Sequence, residues 1–131
     1  NQATSFWLTG DVEKQGEADI TERLTQASLK NLMDKNLIFM APHHGSKTSS
    51  SQELLSALRP DETFAQNGYR NRYGHPHPTV TARYQGMNIP FYQTPATGAQ
   101  VWEFPSKSEL KQSRPVFWRL YKKRLWHRQP Q

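Results

Sequence analysis

Two adjacent histidines, His43 and His44, sit in the run APHHGSKTSSS, where an imidazole pair ahead of Gly-Ser is poor core material and a good ligand set for a metal ion or a phosphate. Upstream, FWLTGDVE places Asp11 just after an apolar run. Downstream, NGYRNRYGHPHP crowds Arg70, Asn71, Arg72, Tyr73, His75 and His77 into one loop. Four of the five histidines lie in these two loops.

A carboxylate at a strand end can bridge two divalent cations. An imidazole can ligate one through a single ring nitrogen while a neighbouring acceptor holds its other N–H. Asp11 with His43 or His44 would make half of a dinuclear site, which polarises a phosphoryl or carbonyl oxygen and brings the pKa of bound water towards ~7. Adjacent side chains diverge, so one histidine is expected to ligate and the other to contact substrate or the groups around the ligand. An Asx turn accounts for Asp11 equally well, and a solvated loop pair is the plain alternative for the histidines.

Ser46, Lys47 and the hydroxyls that follow offer donors and a helix N-terminus suited to a phosphate. A capping box from Ser50 to Glu53 explains Ser49, Ser50 and Ser51 without a ligand. Arg70 and Arg72 can clamp phosphate oxygens with Asn71 and Tyr73 beside them, while His75 or His77 serves as proton donor or phosphate contact. The competing reading is an ordered surface loop in which Tyr73 packs and the prolines fix the shape.

These residues need elements to position them. SFWLTG reads as a short strand over 5–10, and Ile20, Leu24, Ala27 and Leu32 have helical spacing within 17–32. LIFMAP is a continuous apolar run suited to a buried strand that Pro42 ends. Ser51 can cap a helix through Leu54, Leu55 and Leu58, closed by Pro60. A weaker strand over 63–66 leads into the arginine loop, after which Pro78 opens a helix and Gly86 closes it. IPFYQT and AQVWEF are further strands, with PATG between them as a turn. Strands alternating with helices imply an α/β sheet covered by helices. In such sheets ligands gather at the carboxyl ends of strands, where Asp11 and the histidine pair both fall.

The chain has 131 residues, 17 Lys and Arg against 11 Asp and Glu, and a formal net charge of +6, which favours polyanionic partners such as nucleic acid or anionic lipid. It has no cysteine, so any metal must be held by His and carboxylate. No apolar run approaches the roughly 20 residues of a membrane-spanning helix. The opening NQATSFWL lacks a helix cap or leader pattern, and a fragment beginning just before a strand is expected. Past Pro105, RPVFWRLYKKRLWHR interleaves cations with aromatics, and Leu120, Tyr121, Leu125 and Trp126 predict one face of a helix. Such aromatics more often dock on the parent sheet than stack on bases, although stacking beside basic residues stays open.

Taken together, LTGDVE, APHHGSKTSSS, the helix ending in LRP and NGYRNRYGHPHP resemble the C-terminal metallo-β-lactamase-like domain of the ComEC family of DNA-uptake channel proteins, over about residues 6 to 93. PHHGS alone recurs in several metallo-β-lactamase subfamilies. With KTSSS and NRYGHPHP it is far more specific. The resemblance implies an αββα sandwich of mixed sheets with flanking helices and divalent metal ions, Zn or Mn. It also implies a nuclease activity that degrades the strand not imported. It assigns Asp11 to the metal bridge and a ligand to the His43/His44 pair, and it places His75, the candidate acid, with His77 in a typical loop.

An HxHxDH-like run precedes LTGD in the family and supplies most of its ligands; these 131 residues lack it. The expectation is therefore the C-terminal half of the sandwich over 1–105 and a basic aromatic tail over 106–131. Such a half binds metal weakly or not at all and does not catalyse alone. Its expected partners are DNA, the rest of the channel protein and, through an uncovered apolar face, a second copy of itself. The expected location is the inner membrane, with the soluble domain on its periplasmic side and the cytoplasmic side as the alternative. An inactive DNA-binding or channel-docking module is the alternative from a different class.

Overall fold

A computed structural model of the chain describes residues 4–26, 36–103 and 115–122. Strands β1 (Thr4–Trp7), β2 (Asn36–Met40), β3 (Glu62–Ala65) and β4 (Phe91–Gln93) form one four-stranded sheet in that order, every neighbouring pair parallel. Helix α1 (Lys14–Gln26) follows β1, α2 (Gln52–Leu58) follows β2, and α3 (Pro78–Gly86) follows β3.

Right-handed crossovers between parallel strands taken in sequence order put each connecting helix on the same face of the sheet. Burial follows that rule. Leu37, Phe39 and Ala41, at every second position of β2 and its exit, join Leu54, Leu55 and Leu58 of α2 and Val80 and Tyr84 of α3 in one core cluster. Trp7, Ile20 and Leu24 pack against it, and Tyr84 stacks on Phe91 with ring centroids 4.6 Å apart. Each fully buried Leu or Phe contributes about 1.5–3 kcal/mol, so this one-sided core holds the sheet to its helices.

The other face carries aromatic contacts. The Trp102 ring meets Phe6 edge-on at 5.6 Å and Phe64 at 5.2 Å, and its indole N–H donates to Glu62 at 3.2 Å. Tyr92 packs on Phe117 at 4.7 Å. On this face Ile38 and Phe64 are buried, while Phe6 remains 40% exposed and Leu8 69% among the described residues.

Several expectations shift in detail. The four-stranded sheet is wholly parallel rather than mixed, and antiparallel pairing is confined to a separate two-stranded sheet of β5 (Gln100–Val101) and β6 (Val116–Phe117). PATG lies in a short helix, Thr94–Thr97, because Pro95 sits in its first turn, where its missing N–H costs no hydrogen bond. The helix expected over 17–32 starts at Lys14, and its stretch beyond Gln26 lies outside the described residues. Ser51 caps α2 as its position before Leu54 and Leu55 implies, its side-chain oxygen accepting from the Leu54 N–H at 3.3 Å, in place of the box from Ser50 to Glu53. In the tail, Val116 and Phe117 pair as a strand before a single helical turn, Trp118–Tyr121, as their β-branched and aromatic side chains favour. Residues 104–114 and 123–131 lie outside the description. No helix among the described residues is long and apolar enough to cross a membrane.

Candidate functional site at the carboxyl edge of the sheet

Because all four strands run the same way, the segments leaving β1, β2 and β3 emerge at one edge. Hydrogen bonds then join them. The Thr9 hydroxyl donates to the Met40 carbonyl at 2.8 Å, the His43 N–H to the Gly10 carbonyl at 2.8 Å, and the Ala41 N–H to the Phe64 carbonyl at 2.8 Å. Further out, the His77 N–H donates to the Gly45 carbonyl at 2.8 Å. Gly45 is obligatory here. Its φ is +80°, and a Cβ at this position would lie 2.6 Å from the Pro76 Cβ.

His43 and His44 both adopt left-handed backbone conformations, with φ of 48° and 55°. That geometry costs about 1–2 kcal/mol per residue for an L side chain, and outliers of this kind cluster at functional sites. It also sends the two rings apart. His44 Nε2 lies 3.5 Å from Asp11 Oδ1, whereas His43 Nδ1 lies 3.8 Å from Glu13 Oε1 and its ring meets that of His75 edge-on, centroids 6.0 Å apart. Both carboxylates are well exposed, and exposed ion pairs are worth about 0–1 kcal/mol, so these contacts orient more than they stabilise.

His75 is the most constrained member of the cluster. Its N–H donates to Asn71 Oδ1 at 2.9 Å, and its carbonyl accepts from the Asn71 amide at 2.5 Å and the Asn67 amide at 3.1 Å. Tyr73 stacks on its ring at 5.8 Å. Burial, then the nearby His43, His44 and His77, hold its imidazole below the ordinary histidine range. The Nδ1 atoms of His43 and His75 are both buried without a hydrogen-bond partner. His77 instead caps α3, its Nδ1 facing the Thr79 hydroxyl at 2.8 Å and accepting from the Thr79 N–H at 3.3 Å.

The remaining candidates fall around this cluster. Lys47 is exposed, and the Ser46 carbonyl accepts from the Ser49 hydroxyl at 2.9 Å. Arg70 and Arg72 are exposed, with guanidinium carbons 5.3 Å and 4.8 Å from the Tyr69 and Tyr73 ring centroids.

Sequence reasoning missed Glu17. This buried carboxylate of α1 accepts from the Ser50 N–H at 2.5 Å and the Ser51 N–H at 2.8 Å, fixing the start of α2. From the other side the Arg83 guanidinium donates to the Ser49 and Ser50 carbonyls, and the Tyr84 hydroxyl to Ser50 Oγ at 3.0 Å. Burial pushes the Tyr84 phenol up. Glu13 and Asn67 were missed as well. Only the position of Glu13 two residues after Asp11 hinted at its role.

Among the described residues, no group of three or more His, Cys, Asp or Glu is placed to hold a metal ion. A zinc site takes three or four protein ligands. Of Asp11, His43 and His44, His43 is the best-prepared donor, because its buried Nδ1 lacks a hydrogen-bond partner.

Fold and site together define a parallel α/β unit that displays a polar, histidine-rich edge. Neither a family model nor a solved structure matches the chain. Its sequence is 37% identical over 92 residues to the competence protein ComA of Neisseria gonorrhoeae, covering 70% of this chain and 12% of that protein. It is 32% identical over 114 residues to recombination protein 2 of Haemophilus influenzae, covering 86% and 13% respectively. To ComE operon protein 3 of Bacillus subtilis it is 30% identical over 103 residues, covering 79% and 12%. The chain thus spans 12 to 13% of the length of these relatives, and the similarity ties it to competence-associated proteins.

Proposed function

We propose that this chain is a DNA-contacting module of a DNA-uptake channel protein, the second half of a metallo-β-lactamase-like domain of the ComEC type, and that it binds DNA or docks on the channel without chemistry of its own. The carrying observation is a contrast at one sheet edge. Arg70 and Arg72 stand exposed on a pinned loop, while the neighbouring His and Asp side chains stop short of a metal centre. The similarity to competence proteins and the net charge of +6 support the same reading. The test is the affinity of the full chain for single-stranded DNA across a salt series. Phosphate contacts predict a steep fall in affinity with salt, and a flat profile contradicts the reading.

The unpartnered Nδ1 atoms of His43 and His75 favour a second reading. In it the whole domain is a Zn- or Mn-dependent phosphodiesterase that degrades the strand not imported. Asp11 and the His43/His44 pair bind the metal, His75 acts as acid, and Ser46, Lys47, Arg70, Asn71, Arg72, Tyr73 and His77 line the substrate. The domain then lies on the periplasmic side of the inner membrane. Joining an HxHxDH-bearing segment upstream should give Mn²⁺- or Zn²⁺-dependent DNA cleavage that Asp11→Ala abolishes; cleavage that survives this change rules the reading out. The exposed apolar residues Phe6 and Leu8 mark the proposed surface for the rest of the domain or for a second copy of the chain.

A further inference from the structure

The loop after β3 carries an unusual run, Tyr69-Arg70-Asn71-Arg72-Tyr73. Its two tyrosines are 61% and 65% exposed. A flexible loop would let such rings turn onto the nearest apolar surface. This loop is held. Asn71 bonds to the Gly68 carbonyl at 3.2 Å and to both backbone groups of His75, the Asn67 amide holds the same His75 carbonyl, and Thr94 Oγ1 accepts from the Asn67 N–H at 3.0 Å. Arg70 has a left-handed backbone, with φ of 52°.

The arrangement pairs each ring with a cation. Arg70 lies over Tyr69, and Arg72 over Tyr73 with its Nη2 donating to the Tyr73 hydroxyl at 2.6 Å. Behind Tyr73 the stack continues through His75 to the edge of His43. Both tyrosines stay mostly exposed with a guanidinium over the ring, and Tyr73 is also backed by His75, so each offers a nucleotide an aromatic surface for the base and a cation for the phosphate. Stacked, paired bases of a duplex expose no such face, whereas unpaired bases do.

We propose that Tyr69 and Tyr73 are stacking platforms for unpaired bases, so that this loop selects single-stranded nucleic acid through its bases and not through phosphate charge alone. The inference rests on the DNA-contacting reading above and makes it specific. Asn67 and Asn71 are positioning residues, and Arg70 and Arg72 contact the phosphates that flank the stacked bases.

The test measures binding of the full chain, at one salt concentration, to a fluorescein-labelled single-stranded oligothymidylate and to an abasic oligomer with the same number of phosphates. The oligothymidylate should bind more tightly, and Tyr69→Ala or Tyr73→Ala should each erode its advantage over the abasic oligomer by roughly tenfold, with any loss of abasic binding smaller than the loss for the oligothymidylate. Tyr69→Trp and Tyr73→Trp should restore it, which separates lost stacking from a damaged loop. Equal affinity for the two oligomers overturns the inference while leaving the DNA-contacting reading intact, as does an advantage that survives both alanine changes. Failure to bind either oligomer overturns both.

Discussion

The loops that follow β2 and β3 meet at Gly45 and His77, yet they are built on opposite plans. The first turns polar groups inward and leaves one unsatisfied: His43 has a strained backbone and a buried ring nitrogen without a hydrogen-bond partner. The second satisfies its backbone through Asn67 and Asn71 and turns its aromatic and cationic side chains out to solvent. An unsatisfied buried donor or acceptor costs about 1–3 kcal/mol, and the second loop carries that cost too, at His75 Nδ1 and Asn67 Oδ1, so the two loops differ in where their aromatic and cationic side chains point. The outward-facing tyrosines and arginines of the second suit it to binding. The metal-like motif and the DNA-like motif are thus neighbours with separate physical requirements, and each can be broken alone.

The largest effect should come from the contact the two loops share. Gly45→Ala forces a Cβ into Pro76 at a positive φ and should cost about 3 kcal/mol or more in urea unfolding, displacing both loops at once. Unchanged stability would mean that the loops are not packed as described. Glu17→Ala comes next. It strands the N–H groups of Ser50 and Ser51 and should cost about 2 kcal/mol, loosening the His43/His44 loop through the start of α2 while sparing oligonucleotide binding by the arginine loop. Equal losses in both properties would erase the distinction between the loops. Asn71→Ala should cost about 1 kcal/mol and, unlike Glu17→Ala, should weaken oligonucleotide binding.

The smallest effect is one of pH. His75 has a folded pKa below its ordinary value of 6.5, so the unfolded chain takes up the proton first as pH falls. Its contribution to stability is complete above about pH 6.5 and declines as pH drops towards the folded pKa. Urea titrations from pH 7 downward should show this decline, and His75→Asn should flatten it. A decline of the same size in that variant would place its source in another group.

Much of this arrangement was legible in the sequence because it follows from local rules. Pro42 ends β2 where an apolar run meets histidines, Pro78 and Gly86 bound α3, and chain-ordered parallel strands bring Asp11, His43 and the arginine loop to one edge. What was hidden depends on residues far apart in the chain. Glu17 looks like a surface residue of an amphipathic helix, and only the approach of α1 to α2 turns it into the carboxylate that fixes Ser50 and Ser51. Asn71 read as a ligand for substrate, yet its side chain closes a ring of hydrogen bonds with His75, and no spacing rule distinguishes the two roles. The tail read as a helix because Leu120 and Tyr121 carry helical spacing, while the pairing of Val116 and Phe117 with Gln100 and Val101 depends on a strand some fifteen residues away.

The central claim is that DNA is met by the arginine loop and not by the histidine pair. The most direct test compares the salt dependence of single-stranded DNA binding for Arg70→Ala/Arg72→Ala and for His43→Ala/His44→Ala. Two lost phosphate contacts should reduce the slope of log affinity against log salt by about 1.4 in the arginine variant, with the histidine variant retaining the full slope. A full slope in the arginine variant, or a comparable loss in the histidine variant, would contradict the account.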